Sequence, residues 1–418
     1  MSVPLGRLVE INPSVPDFAV DPEREVTFVP LECVWPDGRG DFSRRASAGS
    51  VSNGYTVFSN GDVLLPKITP TFEAGRVAVA HLETELGAGT TELHVLRARP
   101  EVDPRFVSYL CRSQQFLQDG ATRLQGVGNL RRVPAGFLSR YPVEVVEYSE
   151  QRAVADYLDR ETVRIDTLID EQQRLMEVLR ERRRALRASI VSIARGSGEP
   201  TEETGLFWCP EIPPTWSVVP LTSVAELRSG HTPSRTRPEL WLDCQTPWIT
   251  LNDVGRLSES SVIAKTVNLI SEAGIAASSA QVLPVGTVVL SRDATIGRSS
   301  IMGVPMATSQ HFAAWICGDR LLPEYLWLLF TGAMQPYFDS LTNGSTLRTI
   351  GMSIIGGFRI PLPPVSEQVQ IVQTARDQTG KIDELMAETA RFIELSRERR
   401  SALITAAVTG QIDVRGAA

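Results

Sequence analysis

The stretch from Ser149 to Ile193 occurs twice. Ser149-Glu150-Gln151, Ile165-Asp166, Arg180-Glu181-Arg182-Arg183 and Ala185-Leu186 return 217 positions later. There they read Ser366-Glu367-Gln368, Ile382-Asp383, Arg397-Glu398-Arg399-Arg400 and Ala402-Leu403. About 45 residues keep this register without insertion or deletion. A gapless match at half the chain length means duplicated structure, which limits the possible folds more than composition does.

Each copy has the pattern of one long helix. Leu158, Ile165, Gln172, Leu179, Leu186 and Ile193 recur every seven residues, with Val154, Leu168 and Leu175 as a second row. This is a coiled-coil seam. The second copy carries Ile371, Ala375, Ile382, Leu385, Phe392 and Leu403. Ser149 and Ser366 stand where N-caps are expected, after prolines at Pro142 and at Pro361, Pro363 and Pro364. Gly196 and Gly410 follow near the ends. At about 1.5 Å per residue each rod is roughly 65–70 Å long. Gln172 and the matching Thr389 are polar breaks that favour one register over its slips.

A length of 418 residues implies two to four domains. No apolar run approaches a membrane span, and the opening Met1 to Arg7 lacks the apolar core of a signal peptide. The five cysteines are scattered without a C-x-x-C, as reduced thiols of a cytoplasmic protein would be. The four histidines lie too far from them in sequence for a zinc module, so no metal is expected. A net charge of −7 argues against non-specific coating of nucleic acid. Only Lys67, Lys265 and Lys381 are lysines, so arginine carries nearly all the positive charge. Arginine suits phosphate and guanine, but a GC-rich coding bias explains it equally well.

The remainder of the chain is doubled more loosely. Pro4-Leu5-Gly6-Arg7-Leu8-Val9-Glu10-Ile11 is echoed by Pro220 to Leu227, and the strand-like run Val26–Leu31 by Pro247–Leu251. Gly61 to Pro70 is answered by Gly286 to Arg292, and Pro104 to Leu110 by Pro323 to Leu328. Gly126-Val127-Gly128-Asn129-Leu130-Arg131 matches Gly344-Ser345-Thr346-Leu347-Arg348. Here the offsets drift between 216 and 225, so loops have changed while the framework stayed. The expected organisation is a first globular domain at 1–147, a long helix at 148–197, a linker and second domain at 198–362, and a second helix and tail at 363–418. Gly196 to Thr201 is the polar linker. Helices of fixed length read as spacers, and two similar domains with unlike loops read as two readers of a split duplex site.

In this order these residues resemble the specificity subunits of type I restriction-modification systems, over essentially the whole chain. Gly61-Asp62-Val63-Leu64-Leu65-Pro66-Lys67-Ile68-Thr69-Pro70 with Gly75-Arg76, and Thr90 to Arg97, carry the likeness most strongly. Ile212-Pro213-Pro214-Thr215-Trp216 and Pro361-Leu362-Pro363-Pro364 with Glu367-Gln368 add to it. Tyr141-Pro142-Val143-Glu144-Val145 departs from the prolyl-rich form of the distal copy. The resemblance implies an α+β fold, with two similar α/β target-recognition domains alternating with two long helices that pair as an antiparallel coiled coil. It implies double-stranded DNA with a bipartite site as target. Two methyltransferase subunits would be partners, and two translocating restriction subunits are further candidates. It implies no cofactor and no membrane.

No catalytic constellation is visible. The Pro-Pro pairs at Pro213 and Pro363 lack the polar and aromatic neighbours of an amino-methyltransferase pocket. No lysine stands in a P-loop frame or two places after a glutamate. The chain is therefore expected to target rather than catalyse. Candidate DNA contacts in the first domain are Lys67, Thr69, Arg76, Gln125, Asn129, Arg131 and Arg132. In the second they are Ser291, Arg292, Thr295, Arg298, Ser309, Gln310, His311, Asn343, Ser345, Thr346 and Arg348. The arginine-rich helix ends read either as solvated faces pairing with Glu177, Glu181, Glu394 and Glu398, or as docking surfaces. Two other functions fit the sequence: a DNA-reading subunit of a phage-defence methylation system without endonuclease, and a coiled-coil scaffold without DNA readout.

Overall fold

The computed structural model describes residues 2–15, 18, 21–128, 130–144, 146–194, 200–341 and 349–414. They fall into two compact units, Met1–Arg174 with Ala390–Ala418, and Leu175–Thr389. In the first unit one sheet has the order Val9–Ile11, Leu93–Ala98, Val63–Pro66, Ala78–Val79, all antiparallel. A second sheet runs Arg45–Ser47, Glu25–Val29, Leu86–Gly89, Thr56–Ser59, with its middle pair parallel. Every residue of Val63–Pro66 is buried, as expected of an apolar run covered on both faces. Ser2–Pro4 pairs with Pro142–Glu144, which brings the two ends of the globular domain together.

The second unit repeats this topology. Its larger sheet has the order Ala225–Ser229, Phe312–Cys317, Val288–Ser291, Ser299–Met302, with Val262–Ile263 added in parallel at the edge. Its smaller sheet runs Asn268–Ile270, Thr246–Ile249, Ala307–Thr308, again with one parallel pair. Ser217–Pro220 closes on Arg359–Leu362. The nine-residue helix Pro104–Arg112 has its counterpart in Pro323–Thr331.

The long helices span Tyr148–Ala194 and Val365–Val408. In the first unit Val154 and Leu158 share a core with Ile404, Ala407 and Val408, and Asp166 receives Arg400 at 2.8 Å, so the two segments run antiparallel. In the second unit Arg183 meets Asp383 at 2.7 Å. Each of these pairs is the other displaced by 217 positions with the partners exchanged, so the duplicated helices make the same contact twice. One arginine of each arginine-rich end, Arg183 and Arg400, thus pairs with the opposite helix, and among the described residues none pairs with the glutamates of its own helix. Each long helix joins its own domain through another charge pair, and the sign is reversed between the copies. Arg105 meets Asp156 and Asp159 in one, and Glu324 meets Arg376 in the other.

Two local expectations are corrected. The second seam row is not Leu168 and Leu175, which are 39% and 37% exposed, but Thr162, Ile169 and Met176. These alternate with Leu158, Ile165 and Leu179 at steps of four and three. In the second helix Thr379 takes this row, while Leu385 and Phe392 lie outside it, 41% and 44% exposed. The seam threonines hide their hydroxyls by donating to the carbonyl four residues back, Thr162 to Leu158 at 2.7 Å and Thr379 to Ala375 at 2.9 Å. Nor do Ser149 and Ser366 cap their helices. The first helical carbonyls are those of Glu147 and Pro364.

The neighbouring glutamines anchor the helix starts instead. Gln151 accepts from Asp103 N–H at 3.0 Å and donates to the Val146 carbonyl at 3.0 Å. Gln368, fully buried, accepts from Leu322 N–H at 2.8 Å and donates to the Arg320 and Pro363 carbonyls at 2.9 Å each. Gln368→Ala orphans all three backbone groups. Urea unfolding should show a loss of about 3 kcal/mol, and a loss within error of zero would refute the anchoring role.

The five cysteines form no disulfide, and Cys33, Cys111 and Cys209 are buried. Among the described residues no helix is long and apolar enough to cross a membrane, and no His/Cys/Asp/Glu group could hold a metal.

Candidate nucleic-acid interface

Each globular domain forms a polar corner where an inner strand of one of its sheets ends. In the first, Val63–Pro66 delivers Lys67, whose N–H donates to the Glu92 carbonyl at 2.8 Å and whose carbonyl accepts from Val133 at 2.9 Å. In the second, Val288–Ser291 delivers Arg292, whose N–H donates to His311 at 3.0 Å and whose carbonyl accepts from Ile350 at 2.9 Å. The backbone pattern is the same, so Lys67 corresponds to Arg292 and Glu92 to His311.

The side chains differ. At the first corner Thr69 N–H donates to the Arg131 carbonyl at 2.8 Å, and Arg131 N–H donates to the Thr69 hydroxyl at 3.1 Å. Gln125 and Arg132 exchange backbone bonds at 2.9 and 2.7 Å, so a turn with an exposed tip closes over this strand end. Gly126 and Gly128 supply its positive φ values of 132° and 61°. Arg132 forks onto Glu92 at 2.8 and 2.6 Å, and this pair holds the Glu92 carboxyl below its usual range. Lys67 and the exposed Arg131 carry no side-chain hydrogen bond among the described residues. Arg76 is not part of this group. Its guanidinium donates to the Val34 carbonyl at 3.3 Å, and its Nε is buried.

At the second corner Arg292 donates to the carbonyls of Ile350 and Gln310 at 2.9 and 2.8 Å. His311 Nδ1 meets Asp293 Oδ2 at 2.7 Å, and the Thr232 hydroxyl donates to Gln310 at 2.6 Å. Ser291 is fully buried and donates to the Asp293 carbonyl at 3.2 Å, and Ser309, which precedes Gln310, is buried as well. Thr295 and Arg298 are exposed around the turn that the backbone closes from Ser291 to Arg298. Asn129, Asn343, Ser345, Thr346 and Arg348 lie outside the described residues.

Glu92, Asp293 and Thr232 were not singled out in the sequence, yet each fixes a side chain that was. Opposite charges next to the candidate cations, as in Arg292-Asp293, were the available signal.

Residues 213–389 match the family described as the type I restriction modification DNA specificity domain. Over 189 residues, 42% of the chain, the sequence is 31% identical to the EcoAI specificity subunit of Escherichia coli. Over 162 residues, 38% of the chain, it is 33% identical to the MjaIX specificity subunit of Methanocaldococcus jannaschii. Residues 213–389 are thus a type I restriction modification DNA specificity domain. The matches span 31% and 37% of those two relatives' own lengths. A solved chain from work on assembly and conformational transition of the type I restriction-modification system superposes with a TM-score of 0.72 at 18% identity, covering 99% of this chain and 98% of that one. The HsdS subunit from Thermoanaerobacter tengcongensis gives 0.51 at 17% identity, covering 99% and 97%. At such identities the likeness is one of fold. That likeness of fold covers the first domain as well, which the family match does not reach.

Proposed function

We propose that the whole chain is a type I specificity subunit, which reads DNA and catalyses nothing itself. In this reading the domains at 1–147 and 198–362 each recognise one half of a bipartite duplex target. The helices at 148–197 and 363–418 set the spacing and dock two methyltransferase subunits, which supply the chemistry. The supporting observation is one backbone junction built twice with different side chains, Lys67, Glu92 and Arg132 against Arg292, His311 and Asp293. A shared scaffold with unlike polar edges suits two readers of different bases.

Co-expression with a methyltransferase subunit, followed by methylome sequencing, should reveal one split motif. Exchanging residues 1–147 for another such domain should change one half only. Protein-independent methylation, or none, would refute this reading. Lys67 and Arg131, whose side chains form no ion pair among the described residues, are assigned to phosphate. Replacing either by alanine should weaken motif and non-motif DNA alike, and lower the salt slope by about 0.9. Loss confined to one base position would instead make that residue a base reader.

A further inference from the structure

Within the first unit a cleft of about 760 Å³ opens between the loop Trp35 to Phe42, the helix Pro104–Arg112 and residues 159–170 of the first long helix. None of the described candidate DNA contacts lines it. Its charged groups are largely paired: Arg105 with Asp103, Asp156 and Asp159, Arg39 with Asp37, and Asp166 with Arg400. Tyr109 donates to Asp159 at 2.7 Å.

Among the described residues Arg112 is the one lining guanidinium without an ion pair. It is 7% exposed and lies over the Tyr109 ring at 5.1 Å, with Nε and Nη2 buried and unpartnered. Burial, reinforced by the nearby Arg400 charge, pulls its pKa down to about 10. Gly38, at φ 94°, leaves room for the guanidinium, since a Cβ there would collide with Nη1. A buried guanidinium without acceptors destabilises the fold, and an apolar side chain of similar length would not. The corresponding position in the second domain is Thr331, so the duplicated architecture does not require an arginine here.

We propose that this cleft receives a carboxylate side chain, flanked by apolar residues, from the methyltransferase subunit docked on the first long helix. The inference rests on the docking role proposed above. A carboxylate matches the guanidinium fork with two parallel hydrogen bonds. Asp37, Asp159, Asp166 and Asp170 line the same space, so a phosphate dianion or a DNA backbone meets more repulsion there than a carboxylate monoanion held by the Arg112 fork. Trp35 and Val163, 39% and 65% exposed, give the rim an apolar surface for the flanking residues.

The test titrates the full chain with 3-phenylpropionate, and separately with inorganic phosphate, by calorimetry. One saturable site for 3-phenylpropionate and none for phosphate is expected. Arg112→Met should weaken the probe at least about tenfold while raising the thermal midpoint, because an orphan charge is removed. Val163→Asp places a carboxylate on the exposed rim and should weaken it similarly without touching the core. In the co-expressed complex both variants should lower methyltransferase retention by about tenfold or more. No probe binding to the wild type, equal binding of phosphate, or unchanged retention in both variants would overturn the proposal. Should the wild-type chain retain no methyltransferase at all, the docking role fails, and so does its carboxylate as occupant. The titration then still decides whether the cleft binds a carboxylate.

Discussion

Replacing Gly230 by alanine is expected to destabilise the second globular domain by on the order of 4 kcal/mol or more. Gly230 follows the strand Ala225–Ser229, and its neighbour His231 donates to the Thr308 carbonyl at 3.1 Å. A Cβ on Gly230 would overlap the carbonyl oxygen and carbon of Thr308 and its hydroxyl. Backbone meets backbone here, so no rotamer change relieves the clash. Thr308 cannot withdraw, because it is fully buried in a strand paired in parallel with Ile249, itself fully buried. Nor can the other side yield, since Ala225–Ser229 pairs along its whole length with Phe312–Cys317. The strain falls at Ser309, Gln310 and His311, which follow Thr308 directly, and at Thr232, which holds Gln310. Thermal unfolding should therefore show a lowered transition for one unit, together with loss of motif methylation. Gly54→Ala is the control. Its φ of 79° strains a side chain but no atom lies within 4 Å, so about 1 kcal/mol is expected. Equal losses in the two variants would show that the close approach at Gly230 is not what matters.

Gly230 also illustrates what a single sequence conceals. The gapless duplication was legible because helix length must be kept for paired helices to stay in register, and both helices appear where the pattern put them. The looser repeats located matching strands and the two nine-residue helices, because strand ends and Pro-initiated helices tolerate little change in length. The seam row was misassigned because the true row includes a threonine. Thr162 looks polar until its hydroxyl is seen to bond within the helix, whereas Leu168 and Leu175 look like core and are half-exposed. The helix starts were assigned to serines because hydroxyl capping is local, whereas Gln151 and Gln368 act on turns about 48 and 46 residues away. At the corners the charged residues were readable, but their commitments were not. Arg132 is held by Glu92 and Arg76 by Val34, which only the folded chain discloses.

Those half-exposed leucines lead to the other large effect. Leu168, Leu175 and Val178 are 39%, 37% and 58% exposed, and the residues 217 positions later, Leu385, Phe392 and Leu395, are 41%, 44% and 52% exposed. A lone exposed apolar residue needs no explanation. Three at identical offsets on both copies, off the buried seam, do. With 3.6 residues per turn each trio falls on one side of its helix. Two equal apolar stripes fit two copies of one partner, as the proposed pair of methyltransferase subunits requires. Burying three such side chains is worth about 4–6 kcal/mol gross, part of which association consumes. Changing Leu168, Leu175 and Val178 together to glutamate should weaken one of the two partner sites by about a hundredfold. The same change at Leu385, Phe392 and Leu395 should weaken the other. Glutamate is a good helix former and the seam is untouched, so helix content should hold. Native mass spectrometry of the co-expressed complex should then find one methyltransferase per chain for either triple variant and none for the six-fold variant. Two partners retained in every variant would remove the stripes from the interface and, with them, the argument for a two-partner assembly.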